Sequence, residues 1–196
     1  MMTASTETAE RGLDTMIIVY SLLANHPASD ACEQFLRQHT GWFVTPFILL
    51  EAKALLTKVY GIEPAAVTAK LTLFAQSPVQ IVTLNGTQTL AALGLADTHH
   101  IDLTDATLLQ AALALNAKVL VTEDTRLAQS AQILGLNIES PIDAALRQEI
   151  FAWEQAHLRQ KGLPRILDAI HRWLLQADSE TANAFWSQTG SGSHLP

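Results

Sequence analysis

Four acidic residues occupy positions where an α/β protein does its chemistry. Asp14 sits near the end of a first strand, and Glu51 lies in the early turns of the helix that follows a second strand. Asp105 opens a helix, and Asp124 follows the short apolar run Val119–Leu120–Val121. In a parallel sheet such positions can meet at the carboxyl edge, where α/β sheets place their ligands. Donor sets made only of oxygen, without Cys or His, suit Mg²⁺ or Mn²⁺. Carboxylates within a few ångströms of each other repel unless a cation neutralises them or one takes a proton. Two such cations, roughly 3.5–4 Å apart, can clamp the attacking and leaving oxygens of a phosphodiester.

Taken singly, each acid also has an ordinary structural use. Asp105 suits the first turn of a helix because the dipole favours negative charge there. Asp124 can cap the helix that begins near Thr125. Asp14 fits a turn, and Glu51 alone reads as a solvated helix face. It is the four together, in this order, that point to a shared site. Glu123 is a further candidate ligand, and Asp102 is a rival to Asp105. Asp105 is preferred because Ala106 and an apolar helix follow it directly.

The elements that must position these groups are legible in part. Residues 101–127 read as a helix capped by Thr104, a buried strand over Val119–Val121 and the start of another helix. Leu108, Leu109, Ala112 and Leu115 give the first of these an apolar face. Near the start, residues 16–20 look like a strand by β-propensity. The alternative is a very short strand ending near Asp14, then a helix through Leu23. Ala28–His39 reads as a helix and Trp42–Thr45 as a buried strand. Pro46 starts a helix that carries Leu49, Leu50, Ala52, Leu55, Leu56 and Val59 and stops at Gly61. Pro64 starts another, to about Gln76, and Val79–Val82 is a third strand. Residues 87–95 read as a helix ending near Gly94, followed by a polar turn at Asp97–His100. Residues 125–134 form a helix closed by Gly135, and Leu136–Ile138 a last strand.

Strand–helix alternation of this kind predicts a parallel sheet covered on both faces. The expected organisation is a flexible arm over 1–10, a domain over 11–141, a helical extension over 142–188 and a disordered tail over 189–196. Two helices are expected in the extension, at 143–160 and 164–177, the second with a stripe of Ile166, Leu167, Ile170, Trp173 and Leu174. Trp153, Trp173 and Trp186 read as packing residues rather than base-stacking ones.

The 196 residues are 48% hydrophobic and 16% charged, enough apolar material for a sizeable core. Cys32 is the only cysteine, which excludes an internal disulfide and favours a reducing, cytoplasmic setting. No apolar run approaches the ~20 residues of a membrane span. The net charge of −7 argues against a broad phosphate-gripping surface. The acidic excess lies in residues 1–141, with 13 acidic against 7 basic side chains. The one basic patch is Arg159, Lys161, Arg165 and Arg172, a candidate RNA contact that reads equally as a solvated helix face.

The stretches LDT, PFILLEA, LTDATLLQAALAL and VLVTEDTRL, in that order, resemble PIN-domain ribonucleases, and in layout the VapC-type toxins of toxin–antitoxin pairs. The resemblance covers about residues 11–141. It implies a three-layer α/β/α domain with a parallel sheet of four to five strands, plus C-terminal helices. It further implies a Mg²⁺- or Mn²⁺-dependent endoribonuclease that uses an activated water. Carried over, Asp14, Glu51, Asp105 and Asp124 would be the catalytic acids, with Asp14, Asp105 and Asp124 holding metal. Thr122 would orient the last carboxylate. An antitoxin partner and a homodimer are likewise implied. The family usually places Asn or Ser two residues after the first Asp, where Met16 stands here. The competing expectation is a catalytically weak or inactive module of the same fold, acting through its C-terminal helices. A phosphatase of another α/β type ranks lower, because it would need a second Asp at Met16.

Overall fold

The computed structural model describes residues 9–158 and 165–189. The chain divides into two compact units, residues 1–158 and 159–196. In the first, five three-residue strands form one wholly parallel sheet. They are β1 (Arg11–Leu13), β2 (Trp42–Val44), β3 (Val79–Ile81), β4 (Val119–Val121) and β5 (Asn137–Glu139). The spatial order is β3-β2-β1-β4-β5. The chain therefore builds the sheet one way from β1, then returns to β1's other side with β4. That reversal makes the carboxyl ends of β1 and β4 the topological switch point, where open α/β sheets place their ligands.

Residues 9–12 are a poor strand by composition, yet β1 is the central strand. Packing explains why. A Cβ on Gly12 would lie 2.8 Å from Phe43 Cζ and 2.9 Å from Leu120 Cδ1. The missing side chain is the space that those two buried side chains of the flanking strands fill.

Helices connect the strands: α1 (Thr15–Leu22), α2 (Ser29–Gln38), α3 (Pro46–Lys58), α4 (Pro64–Gln76), α5 (Gly86–His99), α6 (Leu103–Leu115) and α7 (Thr125–Ile133). Residues 16–20 are helical, so the short-strand alternative holds and the strand reading by propensity does not. Ile17, Ile18 and Val19 are fully buried; burial and the Asp14 cap outweigh their β-branched preference. α6 is buried well beyond one stripe, with Ala106, Thr107, Leu108, Leu109, Ala111 and Ala112 all inside. It is capped by Asp102, whose side chain accepts from Asp105 N–H, rather than by Thr104, which is already helical.

Two other expectations need correction. α5 runs through Gly94 and ends only at His100, whose left-handed backbone (φ 53) stops it. Gly94 lies against open space, and one glycine costs a helix only about 1 kcal/mol. On α3, Leu50 is 65% exposed, while Ile48 takes a core position.

α8 (Ala144–His157) belongs to the first unit. Its Ile150 joins Ile142, Tyr20, Ala28 and Cys32 in a second, smaller core, against which Met16 and Leu146 also pack. The second unit contains α9 (Arg165–Ala177) and α10 (Ser179–Thr189), packed together around the fully buried Ala182. The sequence reading missed α10. The expected arm and tail fall largely outside the described residues, as do the connection at Gly162–Pro164 and the side chains of Ile166, Leu167 and Trp186. No described helix is long and apolar enough to cross a membrane.

Candidate acidic site

Asp14 ends β1 and caps α1. Its Oδ1 accepts from Thr15 N–H and its Oδ2 from Thr122 Oγ1 at 2.6 Å. It is 5% exposed. Burial raises its pKa from 3.8 to about 6, despite the two hydrogen bonds, with the charges of Glu51 and Asp124 adding to the rise. Thr15, the next residue, donates from Oγ1 to Glu51 Oε2 at 2.6 Å. This bond crosses from α1 to α3 and fixes the glutamate that Pro46 and the β2 end bring to this edge. Met16 is half-buried and packs against both cores. The polar link to the site comes from Thr15, not from the position after it.

Asp105 lies in the first turn of α6. Its pKa rises from 3.8 to about 8, first through burial, then through the charges of Asp14, Asp102, Asp124 and Glu51. Thr107, one residue further than Ala106, shares a buried hydroxyl contact of 3.4 Å with Thr45 at the start of α3. That contact ties together the helices carrying Glu51 and Asp105. Asp124 caps α7, its Oδ1 accepting from Arg126 N–H at 2.7 Å and Leu127 N–H at 2.8 Å. Thr122 Oγ1 accepts from Asp124 N–H at 3.0 Å. Thr122 thus orients the first carboxylate by side chain and holds the last one by backbone, where the sequence reading had it orienting the last alone.

The structure brings Asp14, Glu51, Asp105 and Asp124 into one electrostatic neighbourhood at the carboxyl edge beside β1 and β4. The charges of Glu51 and Asp124 on Asp14, and of Asp14, Asp102, Asp124 and Glu51 on Asp105, are all negative. Asp102 contributes to that field but spends an oxygen on capping α6. Glu123 is turned elsewhere: Ser140 Oγ and Arg147 Nη2 donate to its two oxygens. It is not placed as an extra ligand. Arg159 and Lys161, and the side chains of Arg165 and Arg172, lie outside the described residues. Of the groups the sequence reading missed, Thr15 carried the clearest signal: a hydroxyl directly after the first Asp. The Thr45–Thr107 contact had none, since its partners are 62 residues apart.

The donor chemistry fits a hard divalent cation. The set is all oxygen, and two of its members are held up in pKa by burial and by one another, a penalty that a cation would relieve. Among the described residues, however, no three His, Cys, Asp or Glu side chains are gathered closely enough to hold a metal ion. The acids share a field without closing into a cage.

A parallel three-layer domain with acidic residues gathered at its topological switch point is the architecture so defined. Residues 13–133 match the PIN-domain family model, and the chain belongs to that family. Two solved structures are similar in fold. One is VapC20 of Mycobacterium tuberculosis, a Sarcin-Ricin loop cleaving toxin. It has a TM-score of 0.55 and 13% identity, over 62% of this chain and 95% of that one. The other is VapBC2 from Rickettsia felis, bound to a DNA fragment from its promoter. It has a TM-score of 0.50 and 21% identity, over 66% of this chain and 97% of that one. No curated protein matches the sequence.

Proposed function

We propose that this protein is a divalent-cation-dependent endoribonuclease, the toxin of a toxin–antitoxin pair, working in the cytoplasm with Mg²⁺ or Mn²⁺. The observation that carries the reading is the meeting of Asp14, Glu51, Asp105 and Asp124 in one field, where the neighbouring carboxylates help burial push up the pKa of Asp14 and of Asp105. Family membership and the fold shared with VapC proteins support it.

Asp14, Asp105 and Asp124 are the residues to hold the cation. Bound there, such an ion supplies Lewis-acid stabilisation of the charge that builds on a phosphodiester during hydrolysis. The chain's own groups do the rest. Thr122 holds Asp14 in one orientation and Thr15 holds Glu51, so neither carboxylate must be ordered at the moment of reaction. Glu51, aimed by Thr15, binds the cation or orients the attacking water. Asp105, whose pKa burial and the neighbouring carboxylates push up to about 8, would give up its proton to a bound cation. An antitoxin partner follows by analogy with the VapBC2 complex. A homodimer belongs to the same reading, as do RNA contacts from Arg159, Lys161, Arg165 and Arg172.

Incubation of the purified protein with mixed RNAs tests this. Cleavage should appear with Mn²⁺, stop with EDTA and be lost in Asp105→Asn, since an amide is a poor ligand for a hard cation. An Asp105→Asn protein that cuts as fast as the parent refutes the reading. The second reading, a weak or inactive binding module, has one observation in its favour: among the described residues no three donors stand ready around a single point. A melting temperature unmoved by millimolar Mn²⁺ supports that module, because a ligand of the native state must raise stability.

A further inference from the structure

Glu123 lies between Thr122 and Asp124, yet its carboxylate serves a different part of the protein. Ser140 Oγ donates to Oε1, and Arg147 Nη2 donates to Oε2 at 2.5 Å. The Glu123 side chain is only 14% exposed in this pair. Arg147 comes from α8, which lies beyond the residues that match the family model. α8 is itself well anchored. Ile150 is 6% exposed in the second core, and Tyr60 Oη donates to Glu154 Oε1 at 2.9 Å. Trp153 packs edge-on against His26, 4.7 Å between ring centres. Met16, two residues after Asp14, packs against the same core. One helix therefore braces both turns of the acidic site, through Met16 on the Asp14 side and through Glu123 on the Asp124 side.

We propose that Arg147 is a positioning residue for this site, which by pairing with Glu123 keeps a fifth carboxylate away from the cation. The inference rests on the cation-dependent reading above. Removing one partner of a half-buried pair leaves the other charge uncompensated, and that charge seeks a new partner. Glu123 directly precedes Asp124, and the proposal is that its freed carboxylate turns toward the cation. An added ligand would tighten cation binding and compete with the RNA phosphate, so turnover would fall. Once freed, Glu123 acts through its carboxylate, and removing that carboxylate cancels the effect.

The test compares the full chain with Arg147→Met, Arg147→Lys, Glu123→Gln and the double variant Glu123→Gln/Arg147→Met. Mn²⁺ is titrated against melting temperature without RNA, and RNA cleavage is read separately. Work at ~0.5 M NaCl screens long-range charge. Arg147→Met should lower the Mn²⁺ concentration for half the melting-temperature rise at least about fivefold and slow cleavage about tenfold, in line with changes around metal ligands. Arg147→Lys should recover part of both. The double variant should return to within about twofold of Glu123→Gln, which itself stays close to the parent. A lower melting temperature with an unchanged Mn²⁺ half-point overturns the proposal, leaving Arg147 a plain structural pair. So does a double variant as altered as Arg147→Met. A parent with no Mn²⁺ response sinks the cation reading itself, a result distinct from either.

Discussion

In EDTA, the stability of this protein should fall as pH rises from 6.5 to 8.5. The cause is Asp105. Its pKa is raised from 3.8 to about 8 by burial and by the surrounding carboxylates, so the folded state binds a proton that the unfolded state has already lost. Stability from a group of this kind is fully present below the unfolded value and drains away as pH passes through the folded one. Each pH unit below the folded pKa costs ~1.4 kcal/mol, and the slope tapers near the pKa. From pH 6.5 to 8.5 the loss comes to about 2 kcal/mol. At roughly 2–4 °C per kcal/mol for a chain of this size, the melting temperature should drop by about 4–8 °C. Asp14, with a folded pKa of about 6, is largely ionised at the start of this window and adds little. Differential scanning calorimetry of the parent and of Asp105→Asn, each with EDTA and with Mn²⁺, reads the effect. Asp105→Asn should lose the downward slope. With Mn²⁺ the parent should be more stable as pH rises, because the cation takes the proton's place. A parent melting temperature that is flat or rising over this range in EDTA would refute the argument that uncompensated carboxylates crowd this edge.

Further predictions follow from the same packing. Thr122→Val removes the hydroxyl from Asp14 Oδ2 and from Asp124 N–H, and should weaken Mn²⁺ binding by about 10–100-fold with little change in far-ultraviolet circular dichroism. Gly12→Val pushes a side chain into Phe43 and Leu120 and should cost about 1–3 kcal/mol in urea denaturation. His26 is 4% exposed among Tyr20, Tyr60 and Trp153, and burial lowers its pKa to about 4. Its contribution is present above its unfolded value of 6.5 and lost as pH falls through 4, so His26→Phe should flatten the acid limb of the stability curve.

How far the sequence revealed this molecule depended on how local each signal was. The stretch from Asp105 to Leu127 carried its own periodicity and boundaries, and the helix–strand–helix order matched. Its cap did not, because Asp102 and Thr104 are both good capping residues and only the backbone decides between them. Residues 16–20 misread as a strand by propensity because helix α1 is buried on nearly every side, which erases the helical stripe. Residues 9–12 are a poor strand by composition, and only the packing of Phe43 and Leu120 against Gly12 supplies the reason for β1. The four acids of the proposed site were picked out from their order along the chain. The Thr15–Glu51 and Thr45–Thr107 links were not, since they join residues 36 and 62 apart. Glu123 was a fair candidate ligand by position; its true partner, Arg147, is 24 residues on and outside the family pattern.

The central claim is that carboxylates from four separate elements serve one cation. Crystals grown with Mn²⁺, with diffraction collected for its anomalous signal, test it most directly. The account predicts an anomalous peak at the carboxyl ends of β1 and β4, with oxygens of Asp14, Asp105 and Asp124 drawn in to roughly 2.1 Å. A well-diffracting crystal with no such peak at this edge, or with Mn²⁺ bound only elsewhere, would contradict it.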